Sequence, residues 1–250
     1  KRLKEKMESQ MEAGKISRES RIMFVNDGSK DRTWEMIREL HESDPLYQGV
    51  KLSRNRGHQN ALLGGLMTAK EYADMVISMD ADLQDDIDVI DQFVDKYYEG
   101  CEIVYGVRSA RTTDTFFKRF TAEGFYKLIN FMGGEVVFNH ADYRLMSRRA
   151  LEELSRYKEV NLFLRGIVPM IGFQTAVVTY ERHERFAGES KYPLKKMLGL
   201  AVDGITSLSI KPIRFIVLLG MLIFLCSIVM LAYSLVQHFL GNTSIGWTSL

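Results

Sequence analysis

The chain has 250 residues, with 33 Lys and Arg against 32 Asp and Glu, and a formal net charge of +1 at pH 7. Charges that nearly cancel leave no global electrostatic footprint of a nucleic-acid binder, and no nucleic-acid partner is expected. Only Cys101 and Cys226 are present, the second in an apolar segment, which argues against a disulfide framework and for a reducing compartment around the soluble part.

Lys1 to Ala13 (KRLKEKMESQMEA) reads as a charged amphipathic helix. It has neither an initiator Met nor the apolar core of a signal peptide, and the expectation is an interior piece of a longer protein. Arg21 to Val25 is a short strand ending in the polar turn Asn26-Asp27-Gly28-Ser29. Thr33 to Glu42 has helical spacing, with Trp34, Ile37 and Leu40 on one face. Val50 to Leu52 is a second strand, Ser53 to Gln59 a polar loop, and Ala61 to Tyr72 a helix. Met75 to Met79 is an apolar third strand, Ile87 to Tyr98 a helix, and Glu102 to Val107 a fourth strand. This alternation predicts an α/β domain with a doubly wound, mostly parallel sheet.

Further on, a Phe- and Lys-rich helix is expected over Thr115 to Met132, then the turn Gly133-Gly134 and the segment Asp142 to Met146. Arg148 to Tyr157 reads as a helix and Gly172 to Tyr180 as a strand. A basic, glycine-containing loop covers Arg182 to Tyr192, and an amphipathic helix covers Leu194 to Leu208. From Phe215 to Val236 no residue is charged, and a bilayer-spanning helix needs roughly 20 such residues. Lys195, Lys196, Lys211 and Arg214 before the span place the soluble domain on the cytoplasmic side of the membrane. The expected organisation is a catalytic domain over 1–193, juxtamembrane helices over 194–212, a transmembrane helix over 213–240 and the start of a second membrane segment over 241–250.

Asp80-Ala81-Asp82-Leu83-Gln84-Asp85 directly follows the third strand. Carboxylates one residue apart at the C-terminal end of a strand can converge on one hard cation, and ligands of open α/β sheets gather there. Asp oxygens suit Mg²⁺ or Mn²⁺, which bridge to phosphates. The alternative is a solvated acidic loop whose Asp85, Asp86 and Asp88 favour the next helix N-terminus. Asp27, at the end of the first strand, suits a base or ribose; alternatively its turn supplies Asp31 or Ser29 to cap the next helix. Asn55-Arg56-Gly57-His58-Gln59-Asn60-Ala61 is either the lining of a nucleotide pocket or an ordinary loop. In the basic loop Arg185 and Lys191 flank Gly188 and can close on a diphosphate, or else face an anionic membrane surface.

In this order these motifs resemble the family 2 glycosyltransferases with the GT-A fold. The closer likeness is to the polyprenyl-phosphate type, that of dolichol-phosphate mannose synthase and the bactoprenol glucosyltransferases. The carrying residues are Val25 to Asp31, Asn55-x-Gly57-x-x-x-Ala61, Asp80 to Asp85, Gly106-Val107-Arg108, Asp142 to Met146 and Arg185 to Tyr192. The resemblance implies an inverting enzyme that moves a sugar from a nucleotide-sugar, a UDP-sugar, to undecaprenyl phosphate in a membrane. It implies that Asp27 and Asp80 bind the nucleoside, with Val25 and Ala81 close by, and that Asp82 with Gln84 holds Mg²⁺ or Mn²⁺. Arg108, Arg185, Ser190 and Lys191 would surround the phosphates, Arg185 and Lys191 assisting departure of the diphosphate. Asp142 would stand near the acceptor as a base, and a homo-oligomer is implied as well.

The sequence also departs from the family. Its first strand, with a Pro-x-Tyr-Asn-Glu-like segment, is not found, and Asp86 and Ile87 stand where prolines are usual. A polysaccharide synthase would carry Gln-x-x-Arg-Trp, which is absent. A non-catalytic nucleotide-sugar-binding membrane scaffold is the remaining alternative.

Overall fold

A computed structural model describes residues 1–109, 140–158, 163–181 and 211–241. The expected helix over 115–132, the loop carrying Arg185, Ser190 and Lys191, the juxtamembrane stretch 194–208 and the segment beyond 241 lie outside the described residues. The elements run α1 (Arg2–Glu12), β1 (Ile22–Asn26), α2 (Thr33–Ser43), β2 (Tyr47–Lys51), α3 (His58–Ala69) and β3 (Met75–Ser78). A 3₁₀ turn (Ile87–Val89) leads into α4 (Ile90–Tyr98), followed by β4 (Ile103–Arg108), β5 (His140–Ser147), α5 (Arg148–Leu154), α6 (Leu164–Met170), β6 (Thr175–Tyr180) and α7 (Lys211–Phe239).

The alternation expected from the sequence holds through β4. The ends move where turn chemistry, not apolar spacing, decides. α3 starts at His58, just after Gly57 turns the chain with φ 83°. The 3₁₀ turn starts where the Asp86 carboxylate accepts from the Asp88 amide. The sequence reading assigned no element to α6, a seven-residue helix containing Pro169, which is too short for a clear 3.6-residue signal.

β1 and β2 pair in parallel, and β3, β5, β4 and β6 form a second sheet in that order. β4 and β6 are parallel, whereas β5 runs antiparallel to both β3 and β4. The α/β class and the parallel pairs agree with the sequence reading; the antiparallel strand at the centre of the second sheet is the departure. A buried run such as Tyr143 to Met146 carries no local mark of its direction, which is set by where the chain re-enters the sheet.

Successive side chains point to opposite faces, so the second sheet has two cores. Val104, Tyr143, Leu145, Val178 and Tyr180 pack with Ile90, Phe93 and Val94 of α4. Ile103, Tyr105 and Met146 pack with Leu66 of α3, Leu151 and Leu154 of α5 and Leu164 and Ile167 of α6. α3 also lies on β1, where Gly65 allows close approach: a Cβ there would stand 2.6 Å from Val25 Cγ2. α3 therefore links the two sheets. α1 is held from the rim by Lys4 to Asp44 and Lys15 to Asp95.

Among the described residues one helix is long and apolar enough to cross a membrane, Ile213–Phe239, with mean hydropathy 3.0. Its 29-residue parent α7 is about 43 Å long at 1.5 Å per residue. Its large apolar side chains are exposed, as a helix surrounded by lipid would have them.

Phe93 is fully buried, with its ring 4.7 Å from that of Tyr143. Phe93→Ala is expected to cost about 3–5 kcal/mol in urea unfolding of the detergent-solubilised chain; a loss below 1 kcal/mol would show that α4 does not close this core.

Candidate active site

The C-terminal ends of β1, β2 and β3 bring three loops to one side of the molecule. The β1 loop is locked to the β2 loop. Asp27 accepts from the Arg56 amide at 2.6 Å and from the Gly57 amide at 2.9 Å. Gly28 has φ 66°, and a Cβ on it would lie 2.5 Å from the backbone of Arg54 and Asn55. Only glycine serves here, because the left-handed backbone and the close approach coincide. Asp31 accepts from the amide and hydroxyl of Thr33 in a local turn just before α2, whose N-cap residue is Arg32 with no side-chain cap, so the capping that the turn alternative expected is not formed. Val25 turns towards Gly65 of α3. By fixing Gly57, the Asp27 carboxylate also fixes the start of α3 and hence His58.

The acidic loop after β3 is tied down by its last carboxylate. Asp85 is buried, accepts from the Asp80 amide at 3.3 Å and from the Tyr180 hydroxyl at 2.6 Å. Arg108 lies beside it, donating to the Tyr180 hydroxyl at 3.3 Å and standing 3.8 Å from the Asp85 carboxylate. The Tyr143 hydroxyl donates to the Asp86 carbonyl at 2.9 Å. Within the loop Asp82 accepts from the Gln84 amide at 3.2 Å, Leu83 has φ 60°, Ala81 is exposed and Gln84 is buried. A left-handed leucine is uncommon and is held here by the buried anchors on either side. Burial pushes the Asp80 carboxyl up; Asp85, Asp142 and Asp82 add to this, while His58 opposes it.

Register explains the crowding. β3 and β5 pair Ser78 with Arg144, so extending the antiparallel ladder by two residues places Asp80 opposite Asp142. The Ser78 hydroxyl donates to the Asp142 carbonyl at 2.6 Å and pins this end of the ladder.

Asp142 is 3 % exposed and its carboxylate is surrounded by cations. Arg144 Nη2 donates to Oδ1 at 2.5 Å from within the core. Arg165, in the first turn of α6, donates from Nε to Oδ1 at 3.3 Å and from Nη2 to Oδ2 at 3.1 Å. His58 Nε2, in the first turn of α3, lies 2.8 Å from Oδ2, and against an ionised carboxylate the imidazole is the donor. The starts of α3 and α6 are latched together, since Gln59 Oε1 accepts from the Leu164 amide at 3.0 Å. Burial alone would raise the Asp142 carboxyl, but the His58 hydrogen bond and the two guanidiniums hold it far below the usual carboxylate range. Reciprocally, the bond to Asp142 raises the His58 pKa despite partial burial.

The expected site residues thus fall into two groups. Asp80, Ala81, Asp82 and Gln84 share one loop with Asp142 across the ladder, and Arg108 stands on Asp85 beneath that loop. Asp27 and Val25 belong to the neighbouring β1–α3 junction. Arg185, Ser190 and Lys191 lie outside the described residues. Sequence reading missed His58, Arg144 and Arg165 as partners of Asp142. Arg144 was within reach, because two residues along a strand return to the same face. His58 and Arg165 meet Asp142 only through the latch between α3 and α6.

A raised His58 makes the pair pH-dependent in a defined sense. Its contribution to stability is complete below about pH 6.5, the ordinary imidazole value, and is lost as pH rises through the folded value. Proton NMR titration should place the His58 midpoint above 6.5 and return it towards that value in Asp142→Asn; a wild-type midpoint at or below 6.5 would contradict the hydrogen bond.

Residues 3–155 match the model of the family described as Glycosyl transferase family 2. The chain is 58% identical over 248 residues to uncharacterized glycosyltransferase YkoT of Bacillus subtilis, covering 99% of this chain and 74% of that protein. It is 42% identical over 234 residues to the bactoprenol glucosyl transferase of Shigella phage SfV, covering 93% of this chain and 76% of that protein. A prophage bactoprenol glucosyl transferase homolog of Escherichia coli is 40% identical over 236 residues, covering 94% and 76%. The chain is a glycosyltransferase and belongs to glycosyl transferase family 2.

Proposed function

We propose that this chain transfers one sugar from a nucleotide-sugar, a UDP-sugar, to a polyprenyl phosphate such as undecaprenyl phosphate. Its similarity to bactoprenol glucosyl transferases along nearly the whole chain is the observation that carries the reading. The arrangement of the site supports it: a loop of carboxylates at the end of β3 faces a cationic cluster around Asp142, suited to substrates that both carry phosphate. Helix Ile213–Phe239 anchors the enzyme where a lipid acceptor resides, with the soluble domain on the cytoplasmic side.

In the reaction an acceptor phosphate oxygen attacks the anomeric carbon as the bond from that carbon to the donor's diphosphate oxygen breaks. The configuration inverts and a nucleoside diphosphate leaves. The acceptor oxygen is already an anion, because the second ionisation of a phosphate monoester lies near pH 6. No strong base is required, which agrees with an Asp142 whose lone pairs are occupied and whose basicity is low. Asp80 and Asp27 hold the nucleoside. Arg108, Arg185, Ser190 and Lys191 gather round the phosphates, with Arg185 and Lys191 balancing the departing charge.

The donor set fits a hard divalent cation. Asp82 and Gln84 offer oxygen; the Asp80 carboxyl beside them is raised first by burial, with Asp85, Asp142 and Asp82 adding to it. Among the described residues no three His, Cys, Asp or Glu side chains form a complete cation cage, so phosphate and water would supply the other ligands. Bound there, Mg²⁺ or Mn²⁺ would supply counter-charge to the leaving diphosphate.

Asp82→Ala should lower transfer at least about 100-fold, the scale of losing one principal electrostatic group. The assay is sugar transfer to undecaprenyl phosphate in detergent, across a panel of donors with added Mg²⁺ or Mn²⁺. Undiminished transfer by the variant would overturn the assignment of the loop.

A further inference from the structure

Asp142 is the most heavily partnered carboxylate of the site, and the character of its partners says more than its own. Arg144 is 1 % exposed, and its Nε and Nη1 have no hydrogen-bond partner among the described residues. Arg165 and His58 are different: their side chains are 37% and 56% exposed, so each has one side on Asp142 and another towards solvent. Two guanidiniums and an imidazole, whose protonated form the Asp142 bond favours, surround this carboxylate. Arg165 and His58 are thus the members of the cluster on its outward side, beside the loop expected to hold the donor.

The two outward groups are also pre-positioned. His58 is fixed from behind by Gly57 and the Asp27 carboxylate, and Arg165 by the Gln59 to Leu164 bond. Both bond to a buried carboxylate that Arg144 also holds from within the core. A guanidinium and an imidazolium presented together at a fixed spacing recognise a phosphate monoester, whose oxygens accept from several donors at once.

We propose that His58 and Arg165 form the receiving site for the acceptor's phosphate, and that Asp142 is a positioning residue that holds this pair instead of removing a proton. The proposal rests on the transfer reaction proposed above. It assigns a recognition role to two residues that the sequence motifs left without one. The acceptor phosphate, so held, meets the sugar at the Asp80 side of the ladder.

The same chemistry would recognise the donor's diphosphate, so the test must separate the two. In transfer assays with the full chain, Arg165→Ala and His58→Gln should each raise the acceptor KM at least about tenfold. Donor KM should stay within about twofold of wild type. Arg165→Lys, which keeps the charge and loses the fork, should fall between wild type and Arg165→Ala. Asp142→Asn should likewise raise acceptor KM and leave the pH profile of kcat in place. A rise in donor KM alone would overturn the proposal, as would unchanged acceptor KM in folded variants. A fall in kcat of Asp142→Asn with a displaced pH profile and unchanged acceptor KM would restore the base role and overturn the positioning role.

A second measurement is independent of turnover and of folding defects in the variants. The ring-proton NMR signals of wild-type His58 should shift on titration with farnesyl phosphate and not with farnesol. No shift would overturn the proposal even if transfer occurs. A shift without transfer to any polyprenyl phosphate would retain the phosphate site and overturn the reaction.

Discussion

One buried carboxylate organises this site. Asp142 lies on the central strand of the second sheet, opposite Asp80, where two acids in register would repel each other. The fold answers with Arg144 from the same strand, Arg165 from α6 and His58 from α3. Removing one partner of a buried pair typically costs about 3–5 kcal/mol, because the other charge is left uncompensated. The constraint therefore reaches beyond the site: β5, α3 and α6 must keep their mutual positions for the carboxylate to stay satisfied. Catalytic geometry and packing of the α3 and α6 core are the same requirement.

A second buried carboxylate does comparable work for the acidic loop. Asp85 binds the loop's own first amide and reaches across to Tyr180 on β6. The loop consequently has its ends fixed and its middle exposed, with Leu83 in a left-handed conformation and Ala81 at the surface. Of the acids in the motif, the last serves structure and fixes the backbone that carries Asp80 and Asp82. Asp27 follows the same pattern, since its carboxylate joins two loops before it can meet any nucleoside.

These networks mark the boundary of what sequence could reveal. Apolar runs ending in Asn, Asp and Gly made β1, β3 and their loops legible, because strand ends and polar turns are written locally. The uncharged run from Phe215 to Val236 was equally plain and lies within α7. The antiparallel direction of β5 was not legible, nor was α6, whose seven residues and proline give no periodic signal. Asp142 was found by its motif, but its character came from partners 84 and 23 residues away that only the folded chain brings in. Sequence expected a base at Asp142; its surroundings favour an anchor.

The reading of the site as a meeting place for two phosphate-bearing substrates is tested most directly by identifying the product. The purified chain, given undecaprenyl phosphate and a panel of nucleotide-sugars with Mg²⁺ or Mn²⁺, should yield by mass spectrometry a polyprenyl phosphate carrying one sugar. Nucleoside diphosphate should be released in equal amount and only when the lipid is present. Release of nucleoside diphosphate without lipid, or absence of the glycolipid with every donor, would contradict the account.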